Sequence, residues 1–169
     1  MRKRNGLAAV LALAFLLAGC AGAPPAPEKV AYGPGTIVAV WNLEDLSAGP
    51  GRQPELADFI SAAITDVLQK KCGFKIVERE KLVLALEELN LGSSELVSES
   101  TRLRLGKILG ARLMVFGAYQ VIGEIVRLDL RLVDVESGLV VKTASSEVAA
   151  QDIDSRLKGA EATAVELCR

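Results

Sequence analysis

Thiols and carboxylates carry the reactive chemistry available to this chain. It has three cysteines, Cys20, Cys72 and Cys168, and no histidine. Without imidazole there is no Ser–His or Cys–His nucleophile pair, no histidine metal site, and no use of the commonest general base. Carboxylates pair at Glu44 and Asp45, and at Glu78 and Glu80. A loop turn and a solvated strand–helix junction account for both. Arg79 lies between Glu78 and Glu80 and reads as part of an ion-pair network, with an anion site as the alternative. Gly106, Gly110, Gly117 and Gly123 form neither a G-x-G-x-x-G run nor a phosphate-binding loop. Gly110 reads as a helix stop. Trp41 and Tyr119 are the aromatics expected to be most exposed, with packing in the core or at strand ends favoured over contact with a partner. An enzyme should bring acid, base and nucleophile together. No such set is present, so the chain is expected to be no enzyme and to need no cofactor or metal.

Cys20 has the most specific surroundings. Met1-Arg-Lys-Arg-Asn is a basic start, Leu7–Leu17 is apolar, and Leu17-Ala18-Gly19 leads into the cysteine. That order is a secretory signal peptide, residues 1–19. The apolar run is shorter than the ~20 residues needed to span a hydrocarbon core. Leu-Ala-Gly-Cys resembles the bacterial lipobox, which implies cleavage before Cys20 and acylation of its thiol and new amine. Several acyl chains hold stably where one holds only marginally. The alternative is an ordinary exported protein with an incidental Cys20. Ala21, rather than Asp, follows the cysteine, which by sorting habit implies the periplasmic face of the outer membrane.

Removing residues 1–19 takes away Arg2, Lys3 and Arg4. Lys plus Arg falls from 20 to 17 against 21 Asp plus Glu, a net charge of −4. Proteins that live on nucleic-acid phosphates show the opposite sign, so no nucleic acid is expected as a partner. Residues 20–34 combine the modified cysteine with an Ala/Pro/Gly-rich linker that reaches roughly 40 Å if extended. Residues 35–169 are long enough for one domain.

The elements of that domain follow from periodicity. Thr36–Trp41 reads as a buried strand. Pro54 opens a helix whose apolar positions, Leu56, Phe59, Ile60, Ala63, Ile64, Val67 and Leu68, form one stripe. Phe74–Glu78 reads as a strand, Glu80–Leu89 and Glu99–Leu109 as helices, and Leu113–Val121 as a strand. Ile125–Val135 alternates apolar and charged residues, so one of its faces is wet. Glu136-Ser137-Gly138 turns into a strand over Leu139–Val148. Asp152 or Asp154 can cap a last helix lined by Ile153, Leu157, Ala160, Ala164 and Cys168. The order β-α-β-α-α-β-β-β-α predicts an α/β (mixed α+β) domain. It has one mixed sheet of about five strands, with the first and last helices on one face. Cys72 extends the stripe of the first helix and Cys168 that of the last. Two thiols then remain in an oxidising compartment, and a Cys72–Cys168 disulfide is expected, the alternative being two buried free thiols.

Four segments in order carry a family resemblance. They are Val40–Asp45 (VWNLED), Phe74–Glu80 (FKIVERE), Leu105–Ala111 (LGKILGA) with Val115-Phe116-Gly117, and Leu130–Gly138 (LRLVDVESG). Together, behind a lipobox, they resemble the curli production assembly and transport lipoproteins. Relatives sharing that core include penicillin-binding-protein activators, flagellar outer-membrane and holdfast-anchor lipoproteins, and the N-terminal domain of the Tol–Pal periplasmic protein. The resemblance implies structural roles for Glu78, Arg79, Glu80, Gly106, Gly110, Gly117, Asp134 and Gly138. It also implies a protein partner in the envelope, or a homo-oligomer.

One departure matters. Curli channels carry long inserted hairpins that build a barrel. Between Gly117 and Val126 this chain has only a short connection, whereas a transmembrane strand needs ~9–11 residues and a hairpin two of them. The expectation is therefore an outer-membrane-anchored periplasmic module for envelope assembly or curli-type secretion that is not itself a pore. The alternative is a small-molecule-binding or regulatory lipoprotein that activates a cell-envelope enzyme.

Overall fold

A computed structural model describes residues 32–49, 52–89, 91, 97–149 and 152–169. The expected signal peptide, Cys20 and the linker up to Ala31 lie outside the described residues.

The strands are β1 (Ile37–Val40), β2 (Glu44–Asp45), β3 (Lys75–Ile76), β4 (Leu113–Ile122), β5 (Ile125–Asp134) and β6 (Val140–Ala149). The helices are α1 (Pro54–Lys70), α2 (Arg79–Glu88), α3 (Glu99–Ile108) and α4 (Ile153–Glu166). They alternate as expected, with β2 added. The strands form one mixed sheet ordered β3-β1-β4-β5-β6. β3 and β4 flank β1 in parallel, while β4, β5 and β6 form an antiparallel meander. β2 continues the line of β1 along the same edge of β4. Trp41 N–H donates to Val115 O and Leu46 N–H to Tyr119 O, each at 2.9 Å, on either side of the step between them.

The helices form where the sequence gives them ends. Pro54 occupies the first turn of α1, where its missing N–H costs nothing, with Glu55 beside it and Lys70 in the last turn. Asp152 caps α4, its carboxylate accepting from Ser155 N–H at 2.7 Å. α1 and α4 lie together on one face, burying Ile60, Ile64, Leu68, Ala160 and Ala164 against Leu113, Val115, Leu128 and Leu130. α2 and α3 cover the other face, placing Leu82, Leu86 and Leu105 against Ala39, Met114, Phe116 and Val133. Each fully buried Leu or Ile contributes about 1.5–3 kcal/mol. The second pair of helices covers only the β3-β1-β4 half of its face. Arg127, Asp129 and Arg131 on β5 are therefore solvated, while Val126, Leu128, Leu130 and Leu132 are buried.

Two expectations about exposure are corrected. Trp41 and Tyr119 are not surface aromatics open to a partner: they take the core-packing alternative, at 4% and 1% exposed. Trp41 leaves β1 on the side that α2 and α3 cover, and Tyr119 points under α1. Phe59, placed in the inward stripe by spacing, is 55% exposed, and Ile153 is also exposed. The stripe of α1 is narrower than its apolar residues because the helix meets a sheet on one side only.

Candidate functional site

The chain leaves β1 toward α1 on one face of the sheet and leaves β3 toward α2 on the other. Where two such connections diverge, the helices cannot close over the strand ends, and a crevice opens there. Here it is a cavity of about 460 Å³ between α1 and α2. Asn42, at the end of β1, donates from Nδ2 to Asp58 Oδ1 at 3.2 Å. Its Oδ1 accepts from Ser61 Oγ at 3.2 Å, and Ser61 Oγ in turn accepts from Leu43 N–H at 3.3 Å. Arg79 Nη2 stands 2.9 Å from Asp58 Oδ1. The partner of Arg79 is thus Asp58, on another helix, rather than its neighbours. Glu78 pairs with Lys81 at 3.4 Å, and Glu80 is exposed in the first turn of α2. Thr65, Asp66 and Gln69 on α1 add polar groups to the lining, and Val77, Leu82 and Leu86 form an apolar wall opposite them.

A second cavity, about 410 Å³, lies over the uncovered part of the sheet. Its wall holds a residue that sequence reasoning missed. Arg102 on α3 is 8% exposed, its Nε donating to Val97 O and its Nη1 to Glu44 Oε1, both at 2.8 Å. Its guanidinium lies 5.2 Å from the Trp41 ring centroid, and Arg131 stands over Phe116 at 5.5 Å. The available signal was spacing: Arg102, Leu105 and Gly106 share one face of α3. A charged residue on an inward stripe needs partners, and here a carbonyl, a carboxylate and an indole supply them.

The third cluster closes the end of the sheet where residue 32 enters. Asp134 is 2% exposed. Its Oδ2 accepts from Tyr32 OH at 2.8 Å and pairs with Arg112 Nη2 at 2.9 Å. Its Oδ1 accepts from the N–H groups of Glu136 and Ser137 and from Ser137 Oγ, at 3.1, 2.8 and 2.9 Å. Burial alone would push this carboxyl up, but the hydrogen bonds from Ser137 and Tyr32 and the Arg112 charge outweigh it and hold it below its ordinary value. At the far end, burial and nearby Asp45 push the Tyr119 hydroxyl well up, so it stays a neutral donor, bonding Gln53 O at 2.6 Å.

The motif glycines serve packing and turns. A Cβ on Gly106 would sit 2.5 Å from Met114 Sδ, and one on Gly117 would sit 2.7 Å from Asp129 O, so each marks a close approach. Gly110 and Gly138 have φ of +75° and +70°, ending α3 and turning β5 into β6. Cys72 and Cys168 are joined, with Cα atoms 5.6 Å apart, linking the ends of α1 and α4. Cys20 lies outside the described residues. Among the described residues, no group of three or more Cys, Asp or Glu is placed to hold a metal ion. No helix there is long and apolar enough to cross a membrane.

No curated protein is significantly similar to this chain. Solved structures share its fold at low identity. The LpoB C-terminal domain from Salmonella enterica is 18% identical with a TM-score of 0.61, over 70% of this chain and 85% of that one. The lipoprotein GNA1162 from Neisseria meningitidis is 16% identical with a TM-score of 0.60, over 77% and 93%. These likenesses concern the fold alone. The family model of the curli production assembly/transport component CsgG matches residues 36–122, from β1 through the end of β4. That match spans more than half of the 169 residues and includes the crevice, the buried Arg102 and both close-packed glycines, and by it the chain belongs to the CsgG family.

Proposed function

We propose that this protein is an outer-membrane-anchored periplasmic lipoprotein whose domain is a structural and interaction module in envelope assembly or curli-type secretion. It neither forms a pore by itself nor catalyses a reaction. One observation carries the reading. β4 and β5 pair along their whole lengths, with Ile122 opposite Ile125, so only Gly123 and Glu124 connect them. Between the described elements, no connection is longer than the ten residues from 89 to 98. A transmembrane hairpin needs two strands of ~9–11 residues, so none of these connections can supply one. The family match runs to the end of β4, and the connection that follows is a two-residue turn. The purified lipoprotein in planar bilayers is expected to give no discrete conductance steps. Reproducible steps at low protein concentration would overturn the no-pore reading.

The anchor rests on Cys20 and the signal sequence before it. Cys20→Ser is expected to move the protein from the membrane fraction to the soluble periplasmic fraction and to abolish palmitate labelling. Unchanged membrane partition with labelling retained would contradict acylation at Cys20.

A second reading, a small-molecule-binding or regulatory lipoprotein, draws support from the crevice. Its volume suits a small ligand, and it combines an apolar wall with a few fixed polar groups.

A further inference from the structure

We propose that the crevice between α1 and α2 binds a small zwitterion: an amino acid or short peptide carrying an apolar side chain. This rests on the second reading above and names its ligand class. The place follows from topology, since the divergence of two connections beyond strand ends leaves a cavity without any specialised loop.

The charges select the ligand. Asp58 Oδ1 accepts from both Arg79 and Asn42, while no partner of Asp58 Oδ2 is found among the described residues. Arg79 spends a single Nη on Asp58. The pair therefore offers a carboxylate oxygen and guanidinium N–H groups side by side. An α-amino acid carries the complementary ammonium and carboxylate on one carbon. Both side chains are 57% exposed, so their mutual attraction is weak and cheaply exchanged for a ligand. The other acidic residues at the rim each have a lysine of their own nearby, Asp66 with Lys70 and Glu78 with Lys81, in pairs at least as exposed. Opposite charges thus stand side by side at Asp58 and Arg79, and a dipolar ligand meets both where a singly charged one leaves one partner unmatched.

Orientation comes from Asn42. Ser61 and Asp58 hold its carboxamide in place, and one N–H and one lone pair remain for a ligand. Val77, Leu82 and Leu86 provide the apolar wall for the side chain, and Ala62 on α1 leaves the room.

Isothermal titration of the purified, detergent-solubilised lipoprotein tests this with leucine, leucinamide, which lacks the carboxylate, and 4-methylpentanoate, which lacks the amine. Leucine should bind saturably with one site per chain. The two analogues should bind at least about tenfold more weakly. Asp58→Asn and Arg79→Gln should each weaken leucine binding by a similar factor while leaving the melting temperature unchanged, because both side chains are exposed. Equal binding of all three compounds would overturn the zwitterion assignment and leave the small-molecule reading standing. Absence of saturable heat from all three would overturn the amino-acid assignment alone, since the second reading is not confined to leucine-like ligands. Undiminished leucine binding by both variants would overturn the site.

Discussion

Replacing Cys72 and Cys168 with serine is expected to lower stability by about 2–5 kcal/mol, with the chain-entropy model placing the loop near the upper end. The bridge closes a sequence separation of 96 residues, from the end of α1 to the last turn after α4. Cut, it frees the unfolded chain across nearly the whole domain and removes the link between the two helices that cover one face of the sheet. Domains of this size have about 5–15 kcal/mol in total, so the loss is a large share. Urea unfolding of the lipoprotein in one detergent, with and without reductant, measures it. The double variant and the reduced wild type should share one midpoint well below that of the oxidised protein. Coincident midpoints, with two alkyl groups added to the non-reduced protein at Cys72 and Cys168, would show that no bridge forms.

Asp134→Asn is expected to cost about 2–4 kcal/mol at neutral pH. Asparagine keeps the shape but turns an amide N–H₂ or an uncharged carbonyl toward donors that now meet a carboxylate: Tyr32 OH, Arg112, and the N–H groups of Glu136 and Ser137. The substitution loosens the turn into β6 and the attachment of Tyr32 together. The pH dependence has a definite sign. The folded-state value of this carboxyl is lowered from 3.8, so its contribution is complete above that unfolded value and disappears as pH falls through the folded one. The wild type should lose stability more steeply than Asp134→Asn below about pH 4. Parallel acid limbs for the two proteins would remove Asp134 from this role.

Much of this architecture is legible locally, and what is not has a common cause. Alternation along β5 and the 3,4 spacing of α1 are read from neighbours in sequence, because burial on one face imposes them directly. Cys72 and Cys168 are legible for the same reason, as each extends a stripe whose face is set by its own helix. β2 carries no local signal: Glu44 and Asp45 are a strand only because β4 runs past β1 and offers them a partner. That Arg79 joins an ion pair is legible, but its partner is not: side chains at i and i±1 do not face each other on a helix, and Asp58 arrives from α1. The burial of Arg102 and of Trp41 is hidden from local sequence for a shared reason. An arginine on a polar helix and a tryptophan at a strand end each look solvent-facing alone, and each covers the other once α3 folds onto the sheet. The crevice is likewise a property of where two connections part, which no single segment displays.

The reading of the protein as a contact module turns on whether its surface meets a partner in the cell. Photo-crosslinking residues placed one at a time at Phe59, Ile122, Thr143 and Glu147, all exposed, sample the α1 face, the tip of the meander and the β6 edge. Irradiation of intact cells is predicted to give, from at least one position, a discrete adduct with an envelope protein or with a second copy of the chain. Monomer alone from every position, with the crosslinkers shown to be photoactive in the purified protein, would contradict the account.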